Sequence, residues 1–242
     1  MVTSLAMRKL VAIVGIALLL TACGGNPTTP IPTPSPLATA AATNRVTDAV
    51  DALSQHESWQ FTATTYESGS PNFSRIVKGT QSPKAPSAVG FTVAQTGKPT
   101  LKYVRLGTDV WYDNGIGSFS ATKADDSYMN LDFQQFYLDT MLRGPETPGY
   151  QFDEVGEEAV GGIAATHYRL ADTYVQSLIG ATGVSSADWA ADVWVSDADG
   201  SLLRLTWGPQ SLDNVQAQTG FDYTVTSVDC DCPIKPPTSV GS

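Results

Sequence analysis

The chain is poor in the residues from which catalytic and metal centres are usually built. Its 242 residues include three cysteines and two histidines, His56 and His167. A four-cysteine zinc site or a histidine-rich catalytic metal centre therefore lacks its ligands. Basic residues are also scarce, with 14 Lys and Arg against 24 Asp and Glu and a formal net charge of -10. That balance opposes the counterion release that drives binding to phosphate backbones, and argues against nucleic acid as a partner. There is no Gly-x-Ser-x-Gly elbow and no glycine loop of the phosphate-cradling kind, so two common routes to hydrolase and nucleotide chemistry are closed. No apolar run reaches the roughly 20 residues that a bilayer-spanning helix requires.

The sequence does carry an address. Arg8 and Lys9 precede an apolar run from Leu10 to Leu20, followed by Leu20-Thr21-Ala22-Cys23 and then Gly24 and Gly25. A positive start, a short apolar stretch and small residues before a cut site make a signal peptide. The four residues ending at Cys23 resemble the lipobox of bacterial lipoproteins. That resemblance implies a diacylglyceryl group on Cys23, cleavage ahead of it, and a mature chain held at the extracytoplasmic face of the cell membrane. Two acyl chains anchor stably where one does so only marginally. Without Arg8 and Lys9, 12 basic residues face 24 acidic ones, so the anionic membrane surface repels the body of the protein.

Residues 1–22 are thus read as the signal peptide and 23–44 as the lipidated cysteine and a linker. Pro27, Pro30, Pro32, Pro34 and Pro36 alternate there with Thr, Ser and Ala, without charge. Such a segment cannot bury enough apolar surface to order itself, and its prolines stiffen it toward polyproline II. Residues 45–233 read as one domain and 234–242 as a flexible tail.

Within the domain, Val46, Val50 and Leu53 recur at helical spacing behind Asn44 as an N-cap, and predict a helix to Gln55. Strands follow in period-two style at Trp59 to Thr64, Ile76 to Thr80, Ala88 to Ala94 and Leu101 to Tyr112. Phe133, Phe136, Tyr137, Leu138, Met141 and Leu142 form a broad apolar helical face that stops at Gly144-Pro145. Strands resume at Val155 to Glu158 and Ile163 to Leu170. A helix or lid is read from Thr173 to Ile179, then a hairpin from Ala191 to Trp207 and a last strand from Phe221 to Val228. About eight antiparallel strands and two or three helices make an α+β arrangement in which helices cover one sheet face.

The run from Val155 through Gly161-Gly162 to Leu170, and the hairpin Asp192-Val193-Trp194-Val195-Ser196-Asp197 leading into Leu202-Leu203-Arg204-Leu205, resemble the LppX/LprG group of bacterial lipoproteins and the wider LolA-like set. The order of elements is similar as well. The resemblance implies a strongly curved antiparallel β half-barrel with helices over its concave face, enclosing an apolar cavity for acyl chains or another lipidic ligand.

A tail-binding cavity needs apolar side chains on one sheet face and on the helix above it. The residues read as lining it are Trp59, Phe61, Val104, Leu106, Val110, Tyr168, Leu170, Val193, Val195, Leu203, Leu205, Phe221 and Tyr223 from strands. Phe133, Tyr137, Leu138 and Met141 join them from the central helix. Each of these residue types would serve equally well as ordinary core.

Asp197, Asp199 and Gly200 suggest the opening of a calcium loop, but the positions that should hold Gly and a bidentate Glu hold Leu202 and Gly208, and strands flank it. A hairpin turn fits better. Cys230 and Cys232 are the free thiols that remain in an oxidising compartment, and they pair with each other or with a partner chain. His167 falls on the face opposite Tyr168 as a satisfied surface histidine, and Glu154, Glu157 and Glu158 read as solvated charges. The sequence therefore predicts a monomeric, non-enzymatic lipoprotein without cofactor, binding a lipid, glycolipid or other apolar molecule for carriage within the envelope, with a possible transport partner there. The rival reading is a structural or sensory module of the same fold that recognises another envelope protein.

Overall fold

The structure, a computed structural model, describes residues 36–66, 74–123, 151–171, 189–209 and 220–240. Helix α1 (Pro36–Leu53) is followed by β1 (Trp59–Tyr66), β2 (Ser74–Ser82), β3 (Ala88–Gln95), β4 (Leu101–Leu106), β5 (Asp109–Asp113) and β6 (Ser120–Lys123). Then come β7 (Phe152–Val160), β8 (Ile163–Leu170), β9 (Trp189–Ser196), β10 (Leu202–Pro209) and β11 (Gly220–Val228). They form one 11-stranded sheet in the order β6-β5-β4-β3-β2-β1-β11-β10-β9-β8-β7. Every ladder is antiparallel. Two meanders, β1 to β6 and β7 to β11, are joined through the β1–β11 pair. Among the described residues the sheet does not close, and β6 and β7 are its opposite edges.

α1 begins at Pro36, inside the segment read as linker to residue 44. Proline suits a first helical turn because its missing N–H has no partner there anyway, and the run of alanines behind it favours helix over coil. Ala42, Val46, Ala49 and Leu53 form the seam that α1 lays on the sheet, each 5% exposed or less. They pack with Trp59, Phe61 and Ala63 of β1, Tyr223 and Val225 of β11, Val193 and Val195 of β9, and Phe152, Tyr168 and Leu170 of β7 and β8. Trp59 Nε1 donates to the Tyr223 hydroxyl at 2.9 Å. Burial pushes the Tyr223 pKa up, against the smaller lowering effect of that hydrogen bond. Truncating this core at Leu205, 1% exposed, is expected to cost about 2–5 kcal/mol. Urea unfolding of Leu205→Ala would measure it.

The residues from Leu101 to Tyr112, read as a single strand, are a hairpin. Gly107 takes a φ of 58° in its turn, a conformation that costs glycine little. β6 has no apolar alternation to announce it. Within the segment 234–242, Ile234 lies where a Cβ on Gly90 would meet it at 3.3 Å, and Val240 bridges Phe119. Cys230 and Cys232 are joined in a disulfide, their Cα atoms 5.3 Å apart. The central helix and lid read at 131–142 and 173–179 lie outside the described residues.

Candidate apolar ligand groove

Register determines which side chains share the α1 face. Phe61 pairs with Gly79, Gly79 with Phe91, and Phe91 with Tyr103, and directly paired residues of an antiparallel sheet lie on one face. Beside this row, Val77 pairs with Val93 and Val93 with Leu101, and then Arg75 pairs with Gln95. These residues belong to β2, β3 and β4. α1 makes its principal contacts with the other half of the sheet, β7, β9 and β10.

Here the sheet holds a groove of about 390 Å³, within the roughly 300–1,000 Å³ of small-ligand sites. Val77, Phe91, Val93, Pro99 and Leu101 make its apolar wall, and Arg75, Gln95 and Lys98 its polar end. Leu101 is 41% exposed, unusual for a leucine on the inward side of a sheet. Phe91 and Val93 also pack against the main core, so the groove adjoins it. Gly79 is closely packed at this junction: a Cβ there would lie 2.6 Å from Phe61 Cζ, the Gly90 carbonyl oxygen and Phe91 Cβ.

Of the residues read as cavity lining, none of the described ones is among those that line this groove. Trp59, Phe61, Tyr168, Leu170, Val193, Val195, Leu205 and Tyr223 form the filled core under α1. Val110 sits in a smaller cluster with Val89 and Tyr103, on the groove's side of the sheet. Val104 and Leu106 fall on the opposite face, because Tyr103 and Arg105 take the inward positions of β4; Val104 pairs with Gly90 and Trp111. Leu203 also faces the other way, packed with Ala165 and Trp194. A bulge between Leu202 and Arg204 inserts Leu203 as an extra residue, so Leu202 and Leu205 both point inward despite their odd spacing. The backbone of Phe221 pairs with Thr65 and Trp207. Cys23, Phe133, Tyr137, Leu138 and Met141 lie outside the described residues.

The outward face carries a charged network. His167 Nε2 and Arg169 Nε each lie 2.7 Å from Asp192 Oδ1. The His167 ring stacks on Trp194 at 4.5 Å, and the Arg204 guanidinium lies 4.9 Å from the centre of that indole. Trp194 Nε1 donates to Glu158 at 2.8 Å. Burial alone would raise the Asp192 pKa, but the hydrogen bonds from His167 and Arg169 outweigh it and hold the carboxyl below its ordinary value. A depressed carboxylate pKa stabilises the fold above the unfolded value near 3.8, and that contribution is lost as pH falls through the folded value. Asp192→Asn is therefore expected to lower stability at neutral pH, with the gap to the native chain narrowing below about pH 4. Urea unfolding at several pH values checks this.

At one end of the fold His56 ties three elements together. Its Nδ1 is 2.8 Å from Asp229 Oδ2 and its Nε2 is 3.2 Å from Asp199 Oδ2, an arrangement in which only the doubly protonated ring donates to both. The hydrogen bond from His56 holds the Asp229 carboxyl below the usual range. A polar hollow of about 360 Å³ opens beside this clamp, with Lys84 and Glu57 at its rim. Asp197, read as the start of a turn, accepts from Thr166 Oγ1 at 2.6 Å and pairs with Arg45 at 3.3 Å. Among the described residues, no group of three or more His, Cys, Asp or Glu could hold a metal ion.

Two solved structures share the fold. The lipoprotein LppX of Mycobacterium tuberculosis aligns with a TM-score of 0.53 at 15% identity, over 81% of this chain and 99% of that one. LprF of Mycobacterium bovis aligns with a TM-score of 0.52 at 14% identity, over 87% and 100%. At these identities the likeness establishes the fold: an open, curved antiparallel half-barrel of the LppX type. No family model matches the chain, and no curated protein matches it in sequence.

Proposed function

We propose that the chain is an extracytoplasmic binding protein, anchored to the cell membrane through lipidated Cys23, that holds an apolar tail of a lipid, glycolipid or other apolar molecule for carriage within the envelope. One observation carries this reading: an apolar groove of about 390 Å³ over β2, β3 and β4, on the same face as the filled core. Each tail methylene withdrawn from water there contributes about 0.8 kcal/mol, so about ten of them supply a gross gain of about 8 kcal/mol before the ordering cost. The reading needs no reacting group, and binding alone accounts for the arrangement. The LppX-type fold supports it, as does the linker, whose 12 residues from Gly24 to Ser35 ahead of α1 would hold the body about 20–37 Å from the anchor if extended as coil or polyproline II.

The experiment is solvent extraction of the purified full chain followed by mass spectrometry, which separates non-covalent lipid from the acyl groups bound to Cys23. About one releasable lipid per chain is expected. A chain free of extractable lipid, and refractory to loading with palmitic acid, would leave the fold to its rival use in recognising another envelope protein.

A further inference from the structure

One turn displays an apolar residue that the fold holds away from its own core. Among the described residues Ile116 is the most exposed large apolar side chain, at 80%, and the β5–β6 turn is built to keep it so. Asp113, itself 2% exposed, accepts from the backbone N–H groups of Gly115, Ile116 and Gly117 at 2.8, 2.9 and 3.1 Å. Gly115 and Gly117 take φ values of 87° and 85° on either side of Ile116, which glycine adopts without strain. Three hydrogen bonds to one buried carboxylate stop the turn from folding its isoleucine back onto the sheet. The turn also abuts the groove. A Cβ on Gly115 would lie 2.2 Å from Pro99 Cβ, and Pro99 and the exposed Leu101 belong to the groove's apolar wall.

Strands alternate in direction across the sheet, so the β3–β4 turn (96–100) and the β5–β6 turn (114–119) leave it at the same end. Neither turn contains an acidic residue. The opposite end carries the exposed Glu57, Asp197, Asp199 and Asp229. An anionic membrane surface therefore turns the body so that the acid-free turns approach first. The tether points the same way. Thr43 Oγ1 accepts from the Phe152 N–H at 3.0 Å, at the start of β7 on the end of the turns, whereas His56, just past α1, meets Asp199 and Asp229 at the other end. α1 thus begins on the side of the turns. The 12 residues between it and Cys23 keep the bilayer that holds the anchor within about 37 Å of its first turn.

We propose that this end of the sheet is a membrane-docking tip whose partner is the phospholipid bilayer that carries the anchor. Ile116 enters the boundary between headgroups and acyl chains, and a tail leaves the leaflet over Pro99 and Leu101 into the groove. One isoleucine backed by a proline and a leucine is too small a patch to hold a free protein on a membrane. It suffices for a tethered one, because the tether makes docking intramolecular and the tip has only to orient the body. The docking stands on the braced turn, the placement of acids and the course of α1; the transfer route rests in addition on the apolar-tail reading above.

The test uses the full lipidated chain in phosphatidylcholine vesicles. A nitroxide is placed on Ile116→Cys and, as control, on Ala198→Cys, exposed in the β9–β10 turn at the opposite end. Power-saturation measurements should find the nitroxide at position 116 more accessible to oxygen than to a water-soluble nickel chelate, as in hydrocarbon, and the one at position 198 accessible as in water. A second measurement follows uptake of palmitic acid from the same vesicles. Ile116→Asp should slow uptake about tenfold, since it exchanges one buried apolar side chain for a charge, and should leave the amount bound at equilibrium unchanged. That unchanged amount shows the groove still folded. A nitroxide at position 116 as wet as that at position 198 overturns the docking, and leaves Ile116 to a protein partner. Uptake unaffected by Ile116→Asp overturns the transfer route. A native chain that takes up no palmitic acid while Ile116 is in the bilayer overturns the apolar-tail reading and leaves the docking standing.

Discussion

Replacing Cys23 with alanine is expected to abolish fatty-acid attachment: metabolic labelling with palmitate should fall to background, and intact mass should show no diacylglyceryl addition. The expectation follows from the position of a rare residue. One of three cysteines in 242 residues falls directly after Leu20-Thr21-Ala22, where the lipobox requires it. The energetic consequence is large because each buried methylene contributes about 0.8 kcal/mol and two chains together anchor stably. Nothing else in the sequence offers a comparable hold. The mature chain would carry twice as many acids as bases, and among the described residues no helix is long and apolar enough to cross a membrane. Undiminished palmitate incorporation in Cys23→Ala would remove the anchor from the account.

The second large effect concerns the groove itself. Val93→Arg should reduce co-extracted or loaded lipid by more than about tenfold, because it places a charge on the apolar wall and fills space the tail needs. Val93 is half-buried beside an open slot, so the long side chain has a route to solvent and the fold should tolerate it. Thr92→Arg is the control. It lies one residue away on the opposite face, exposed, in the register row of Lys78 and Lys102. It should leave uptake unchanged. Equal loss from both variants would indicate general unfolding.

The parts of this structure that the sequence made legible are those where one face of a strand is wet and the other dry. β1 alternates Trp59, Phe61 and Ala63 with Gln60, Thr62 and Thr64, and the apolar set is the buried one. In β8, Tyr168 and Leu170 separate cleanly from His167 and Arg169 in the same way. β4 resisted this reading because both of its parities carry apolar residues: Leu101 and Tyr103 on one, Val104 and Leu106 on the other. Only its register against β3 tells which face is inward. Periodicity also fails at a bulge, as with Leu203, where one inserted residue reverses everything upstream of it.

The groove was hidden for a different reason. Its lining comes from three strands and a turn, no one of which is exceptional by itself, and Arg75, Gln95 and Lys98 at its polar end carry no motif. A search of the sequence for the most apolar positions finds the filled core first, since Phe61, Val193 and Leu205 are the better-buried side chains. An open groove is made of apolar residues that the fold leaves partly uncovered, such as Leu101, and coverage is a property of the assembled sheet. The helix start at Pro36 shows the same limit at the other end of the domain: proline-rich composition marks a linker until alanines behind a first-turn proline carry it into helix.

The most direct test of the central claim, that the groove over β2, β3 and β4 receives a hydrocarbon tail, is to map where a photoreactive, diazirine-bearing palmitic acid attaches. After irradiation of the full chain, digestion and fragmentation to single-residue resolution should place the label on Val77, Phe91, Val93 and Leu101. Label spread over the outward face near Thr92 and Lys102, or confined to peptides outside β2, β3 and β4, would contradict the account.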